Sequence, residues 1–273
     1  MQTVLFPTDF SDNAYRALVF ALQIAAKQKS KLVLMNAFPI PYDFAAKVLA
    51  ELEYEKTQSL EKLQALAKSV QEQPEFENVD IEILSLPGDG VSAIKAAALS
   101  HEVDLIVMGT KGASGLKRFL FGGITADTIL LTRIPILAVP MDAKFENMNR
   151  IIFATAYDEH DIDNLREIAA FAKLFDAEIR VLHIAEKNTL REDAMFHGFR
   201  EMVREQDIYH NIYHNLVINS DFFEGVQAYV KECDGSLLVM SSQKKSFLQK
   251  ILNLSHSQEM LHHTKVPLLV LKS

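Results

Sequence analysis

The 273-residue chain has a single cysteine, Cys233, and no tryptophan. One thiol excludes an intramolecular disulfide and a cysteine-rich metal cage, and it suits a reducing compartment. Positive charge is also scarce. Lys and Arg number 28 against 36 Asp and Glu, a formal charge of -8, so the broad basic footprint of a non-specific nucleic-acid binder is missing. No uncharged apolar run approaches the roughly 18 residues of a membrane span. The start, Met1-Gln2-Thr3-Val4-Leu5-Phe6-Pro7-Thr8-Asp9, has no basic segment followed by an apolar one. The expectation is a cytoplasmic protein with neither nucleic acid nor membrane as a partner. Glycine and proline are few, 10 and 8, and 49% of residues are hydrophobic, which excludes collagen-like and disordered chains. The few glycines are uneven: seven lie in the first half, and Gly109, Gly112, Gly115, Gly122 and Gly123 share one segment.

What is present is a repeat. Phe6-Pro7-Thr8-Asp9 returns as Phe153-Ala154-Thr155-Ala156, Leu105-Ile106-Val107-Met108 as Leu237-Leu238-Val239-Met240, and Arg133-Ile134-Pro135-Ile136-Leu137-Ala138-Val139 as Lys265-Val266-Pro267-Leu268-Leu269-Val270-Leu271. The first pair is 147 positions apart and the last 132, so the second copy is 15 residues shorter between them. Order and spacing argue for duplication. The seam falls in the polar stretch 141–149, giving domains at 1–143 and 147–273.

Within the first copy, segments 3–6, 31–38, 79–86, 105–108 and 136–139 read as strands, and 12–27, 44–70, 91–99 and 125–132 as helices. Ser11 is the expected N-cap of the first helix, and Pro87-Gly88 breaks the chain before the third. Several strands are apolar at nearly every position, as a parallel sheet covered on both faces requires. Regular alternation gives a doubly wound α/β fold, twice, with ligands expected beyond the carboxyl ends of the strands. The 44–70 helix carries Leu49, Leu52, Leu60, Leu63, Leu66 and Ala67 at helical spacing, a core-facing stripe.

The glycine segment runs from the end of strand 105–108 into the next helix. Glycines there let the main chain approach a ligand, amide N–H groups at a helix start attract anions, and Lys111, Lys117 and Arg118 add positive charge. A phosphate-bearing ligand fits. No Gly-x-x-x-x-Gly-Lys-Ser/Thr occurs, so a Walker-type NTPase is unsupported. Gly88-Asp89-Gly90-Val91-Ser92-Ala93 meets the loose dinucleotide pattern, but the next strand ends without a ribose-reading carboxylate, and it reads as a helix-start turn.

Phe6-Pro7-Thr8-Asp9-Phe10-Ser11, then Val107-Met108-Gly109-x-x-Gly112, nine residues, Gly122, and finally Pro135-Ile136-Leu137-Ala138-Val139 resemble the universal stress protein family. Both halves carry the resemblance, as in its tandem members. It implies a Rossmann-like fold and ATP, with Mg2+, bound in the first copy. On that reading Gly109 and Gly112 form the phosphate loop, and Gly122 and Gly123 receive the distal phosphates. Pro7, Thr8 and Asp9 lie at the ribose or the Mg-phosphate group, and Asp9 is tolerable there through a cation or sugar hydroxyls. Ala37 and Met108 line the adenine slot, with Ile124 and Thr125 following on the helix. The family pattern places Ser or Thr after Gly122, where this chain has Gly123. One lost hydrogen bond is worth about 0.5–1.5 kcal/mol, or about 1.5–3 with a charged acceptor. Thr125 or backbone amides are the expected compensation. The resemblance further implies that the halves pack through 136–139 and 268–271 as an internal pseudo-dimer, with homodimerisation as an added option.

In the second copy Gly109, Gly112, Gly122 and Gly123 become Ser241, Lys244, Leu254 and Ser255, and Asp9 becomes Ala156. Side chains fill the cradle, so no ATP is expected there. Eight of the nine histidines lie in this copy. His210 and His214 have the spacing of a helical zinc pair but no completing carboxylate, and read as polar surface residues. His183 matches a strand-end position common in the family, and His262-His263 suits a helix end. Cys233 reads as a helix-end residue, and no Gly-x-Ser-x-Gly elbow is present. With no evident general base, the reading is a stress-response regulator with at most slow hydrolysis. The rivals are a nucleotide-free ligand-binding or interaction module with a decayed site, and an adenylyl-transfer enzyme, for which no second-substrate pocket is visible.

Overall fold

The computed structural model describes residues 2–40, 45–110, 123–158, 160–242 and 266–272. Lys111, Gly112, Lys117, Arg118, Gly122, Lys244, Leu254, Ser255, His262 and His263 lie outside the described residues, as does Phe44 at the start of the expected second helix. The chain divides into two compact units, Met1–Asp142 and Ala143–Ser273.

The first unit runs β1 (Thr3–Pro7), α1 (Asp12–Gln28), β2 (Lys31–Phe38), α2 (Ala45–Gln71), β3 (Ile81–Pro87), α3 (Gly90–Ser100), β4 (Leu105–Gly109), α4 (Gly123–Leu131) and β5 (Ile136–Val139). Its strands lie in the order β3-β2-β1-β4-β5, every pair parallel. The chain moves outward from β1 to β2 and β3, then returns to the other side of β1. That reversal opens a crevice at the carboxyl ends of β1 and β4. β4 and β5 are buried almost throughout, because helices cover both faces of a parallel sheet.

Local chemistry fixes the helix ends that face the crevice. The Ser11 hydroxyl accepts the Ala14 N–H at 3.3 Å and caps α1. Asp89 caps α3 by accepting the Ser92 N–H at 3.0 Å, directly after Gly88, whose φ of +126° only glycine adopts readily. On α2 the expected stripe is partly realised. Leu63 and Leu66 are buried, but Leu49 is 67% exposed, because the N-terminal part of this long helix presents it to solvent. The boundaries of β3, α3 and α4 fall one or two residues from expectation, as element ends commonly do.

The second unit repeats the plan with β6 (Arg150–Thr155), α5 (Asp161–Phe175), β7 (Glu178–Ala185), α6 (Leu190–Glu205), β8 (Ile212–Ile218), α7 (Phe222–Glu232), β9 (Leu237–Ser241) and β10 (Leu268–Leu271). Its order is β10-β9-β6-β7-β8, again all parallel. The missing residues come out of the connection between the second and third strands, where α6 has 16 residues and α2 has 27. The segment around His210 and His214 is not helical: His210 precedes β8 and His214 lies within it. The pair therefore lacks helical geometry, and His214 is half-buried. Its Nδ1 is buried without a hydrogen-bond partner among the described residues, and burial pushes its pKa down to about 4. Cys233 is the C-cap of α7, as expected, and burial raises its thiol pKa, the opposite of an activated nucleophile.

Candidate functional site

In the first unit, a cleft of about 220 Å3 opens at the carboxyl ends of β1 and β4. Pro7, Thr8 and Asp9 enter it from the end of β1, Ala37 from β2, Met108 and Gly109 from β4, and Gly123, Ile124 and Thr125 from the start of α4. Nine of the eleven residues singled out in the sequence thus come together from four separate segments. Gly112 and Gly122 lie outside the described residues. Met35, Asn36, Ala14 and Ile94 also line the cleft and were not anticipated. Only Asn36 carried a signal, as the one polar side chain inside the apolar run of β2. Gly90, in the helix-start turn that meets the loose dinucleotide pattern, also lines the cleft.

The floor of the cleft is held by a hydrogen-bonded turn. Phe10 has a left-handed φ of 61°, which lets its N–H donate to the Thr8 hydroxyl at 3.0 Å, and the Ser11 N–H donates to Asp9 Oδ1 at 3.0 Å. The Asn36 amide donates to the Thr8 carbonyl at 2.7 Å. Its own oxygen accepts from the Ser59 hydroxyl of α2 at 2.8 Å, and Ser59 in turn accepts from Ser85 of β3 at 2.7 Å. A chain of polar side chains therefore fixes the peptide just before Asp9. The Asp89 carboxyl is held below its ordinary pKa by the Ser92 N–H, so this helix cap is an anion near neutral pH.

The glycines do not all serve one purpose. A Cβ on Gly109 would lie 2.5 Å from Asn13 Nδ2 and 3.1 Å from the Asn13 carbonyl oxygen, so the packing of α1 against β4 already demands glycine there. A Cβ on Gly123 would meet no heavy atom within 4 Å of the described structure. The first N–H groups of α4 have no partner within their own helix. The Thr125 hydroxyl donates to the Gly109 carbonyl at 2.8 Å. Its proton is thus committed to the protein.

The second unit has its own cleft of about 230 Å3 at the ends of β6 and β9. The turn recurs: Tyr157 has φ 57°, and its N–H donates to the Thr155 hydroxyl at 2.8 Å. His183 takes the place of Asn36, with Nδ1 donating to the Thr155 carbonyl at 2.9 Å and Nε2 3.0 Å from Glu192 of α6. The side chains facing the cleft differ. Ala156 stands where the first unit has Asp9, Ser241 where it has Gly109, and the carboxylates of Asp158 and Asp161 where it has Ser11 and Ala14.

A pair of five-stranded parallel α/β units, each with a crevice at its chain reversal and one lined by glycine and hydroxyl residues, defines a tandem doubly wound α/β architecture. The sequence profile of the universal stress protein family matches residues 1–140 and again 148–272, and the chain belongs to that family as a tandem member. A universal stress protein of Methanocaldococcus jannaschii is 30% identical over 147 residues, spanning 52% of this chain and 83% of its own. One of Thermus aquaticus is 28% identical over 139 residues, 50% of this chain and 98% of its own. The crystal structure of a universal stress protein from Archaeoglobus fulgidus matches at TM-score 0.72 with 18% identity over 99% of this chain and 96% of that one, a likeness of fold. Among the described residues, no helix is long and apolar enough to cross a membrane.

Proposed function

We propose that the first unit binds an adenine nucleotide, ATP with Mg2+, and that the chain is a cytoplasmic stress-response regulator and not an enzyme. The observation that carries this reading is the convergence of nine motif residues on one cleft at the reversal point of a universal stress protein sheet, facing the open start of α4. Backbone N–H groups at such a helix start, reinforced by the helix dipole, favour phosphate. The apolar part of the cleft, with Met35, Ala37, Ile94 and Met108, suits a flat base. Asp9 would hold Mg2+ or sugar hydroxyls. Among the described lining residues Asp9 is the single ionisable side chain, which leaves no acid–base pair for turnover.

One observation favours the alternative of a nucleotide-free binding module. Both hydroxyls expected to face phosphate at the start of α4 are lost to a ligand, since Gly123 has none and Thr125 donates to Gly109. Calorimetry with Mg-ATP decides between the two readings. Binding should be found, Gly112→Val should abolish it, and Gly123→Ser should retain or tighten it. No heat and no retained nucleotide at millimolar ATP would sink the nucleotide reading.

A further inference from the structure

The cleft of the second unit lies at the same reversal point as the first, yet its chemistry is opposite. Its walls are apolar, formed by Ala154, Ala156, Ile184, Phe222 and Met240. Its polar end is acidic. Asp161 is 3% exposed and sits in the first turn of α5, where its Oδ2 accepts the Thr155 hydroxyl and, at 2.9 Å, the Asp158 N–H. The Asp161 carboxylate is thus held at the polar end of the cavity by the turn before α5 and, at 3.2 Å, by the Asn164 side chain. Asp158 lies at the edge of the same cavity, half-buried. Among the described residues its carboxylate takes one weak hydrogen bond, from the His160 N–H at 3.3 Å.

Two carboxylates at one end of an apolar cavity repel phosphate and attract positive charge, and no Lys or Arg is among the described lining residues. We propose that this second cleft is a ligand site in its own right, taking a small organic cation. Its apolar body packs against Ile184, Phe222 and Met240, and its ammonium group meets the Asp158 carboxylate. The site is independent of nucleotide binding in the first unit.

The test uses the full chain labelled with 13C at its methionine methyl groups. Met240 reports the second cleft and Met35 and Met108 the first, each assigned by loss of its signal in a Met→Leu variant. Benzylammonium, benzyl alcohol and phenyl phosphate are titrated as probes. Benzylammonium should shift Met240 and leave Met35 and Met108 in place, while phenyl phosphate leaves Met240 unmoved and benzyl alcohol binds at least tenfold more weakly. Loss of a charge-assisted contact in Asp158→Asn should weaken benzylammonium binding by about 10- to 100-fold. Ala156→Leu, which fills the cavity without changing its charge, should abolish it while the methyl spectrum stays that of a folded chain. The proposal is overturned if Met240 is unmoved by benzylammonium at about 10 mM, a range that captures even weak millimolar ligands. It is equally overturned if phenyl phosphate shifts Met240 as strongly, or if Asp158→Asn binds as tightly as the parent.

Discussion

Gly109 and Gly123 belong to one glycine segment, yet the structure gives them different reasons to be glycine, and a pair of alanine substitutions separates those reasons. In Gly109→Ala the new methyl would lie 2.5 Å from Asn13 Nδ2, 2.9 Å from Asn13 Cγ and 3.1 Å from the Asn13 carbonyl oxygen. Swinging the Asn13 amide would relieve the first two contacts. The third is to the backbone of α1, and Asn13 is only 2% exposed, so α1 and β4 must move apart. Overpacking of this kind costs about 1–3 kcal/mol, and disturbing the bond from the Thr125 hydroxyl to the Gly109 carbonyl adds about 1 kcal/mol. Gly123→Ala places its methyl in open space and replaces glycine in the first turn of α4, so its effect should be between neutral and about 1 kcal/mol stabilising. Urea unfolding followed through the methyl signals of Met35 and Met108 reads the first unit alone. With an m-value of about 2 kcal/mol/M, Gly109→Ala should lower the midpoint by roughly 1–2 M at unchanged m. Equal midpoints for the two variants without ligand would refute the packing argument and return Gly109 to a purely ligand-driven role.

Three further outcomes follow from individual side chains. Burial holds His214 at a pKa of about 4, against 6.5 for an ordinary histidine, so the unfolded chain takes up a proton that the native one refuses. The second unit should therefore lose about 2–3 kcal/mol as pH falls from 7 to 4, and His214→Leu should flatten that slope in urea melts across the range. The Tyr157 hydroxyl is buried without a hydrogen-bond partner among the described residues, so Tyr157→Phe should leave stability unchanged or raise it by up to about 1 kcal/mol in the same assay. Thr125→Val removes the bond to the Gly109 carbonyl in a site only 3% exposed, and should cost about 1–2 kcal/mol by thermal or urea unfolding.

The duplication, the strand pattern and the cleft residues were legible because each rests on chain-local signals: apolar runs of parallel strands, a capping serine, glycines at a strand's end. What escaped the sequence depends on contacts between distant segments. Gly109 looked like a ligand glycine, and only the approach of Asn13 from α1 shows that packing demands it. Thr125 looked like a spare hydroxyl until folding placed the Gly109 carbonyl 2.8 Å away. His214 sat in a stretch that both periodicities fitted, and pairing of β8 with β7 decides it as a strand residue whose ring packs near Phe199. The 15 missing residues could be counted but not located, because helix length varies without disturbing the sheet.

The two units also separate scaffold from chemistry. Each places a threonine at the end of its first strand and an aromatic residue in left-handed conformation two positions later, and each holds the threonine carbonyl through a polar side chain of the next strand. In the first unit that side chain is Asn36, anchored by Ser59 of α2; in the second it is His183, facing Glu192 of α6. An aromatic at φ near 60° is costly for a bulky side chain, so its recurrence shows that the turn is fixed by the surrounding bonds and not by local preference. The residues that differ include Asp9 against Ala156 and Ala14 against Asp161, which line the two clefts, and the capping Ser11 against Asp158. The threonine, the left-handed aromatic and the polar side chain of the next strand recur in both units whichever of these residues is present, so a carboxylate can leave one corner of the crevice and two can appear at another while the turn persists. That is the physical condition under which one duplicated unit can hold two clefts of opposite preference.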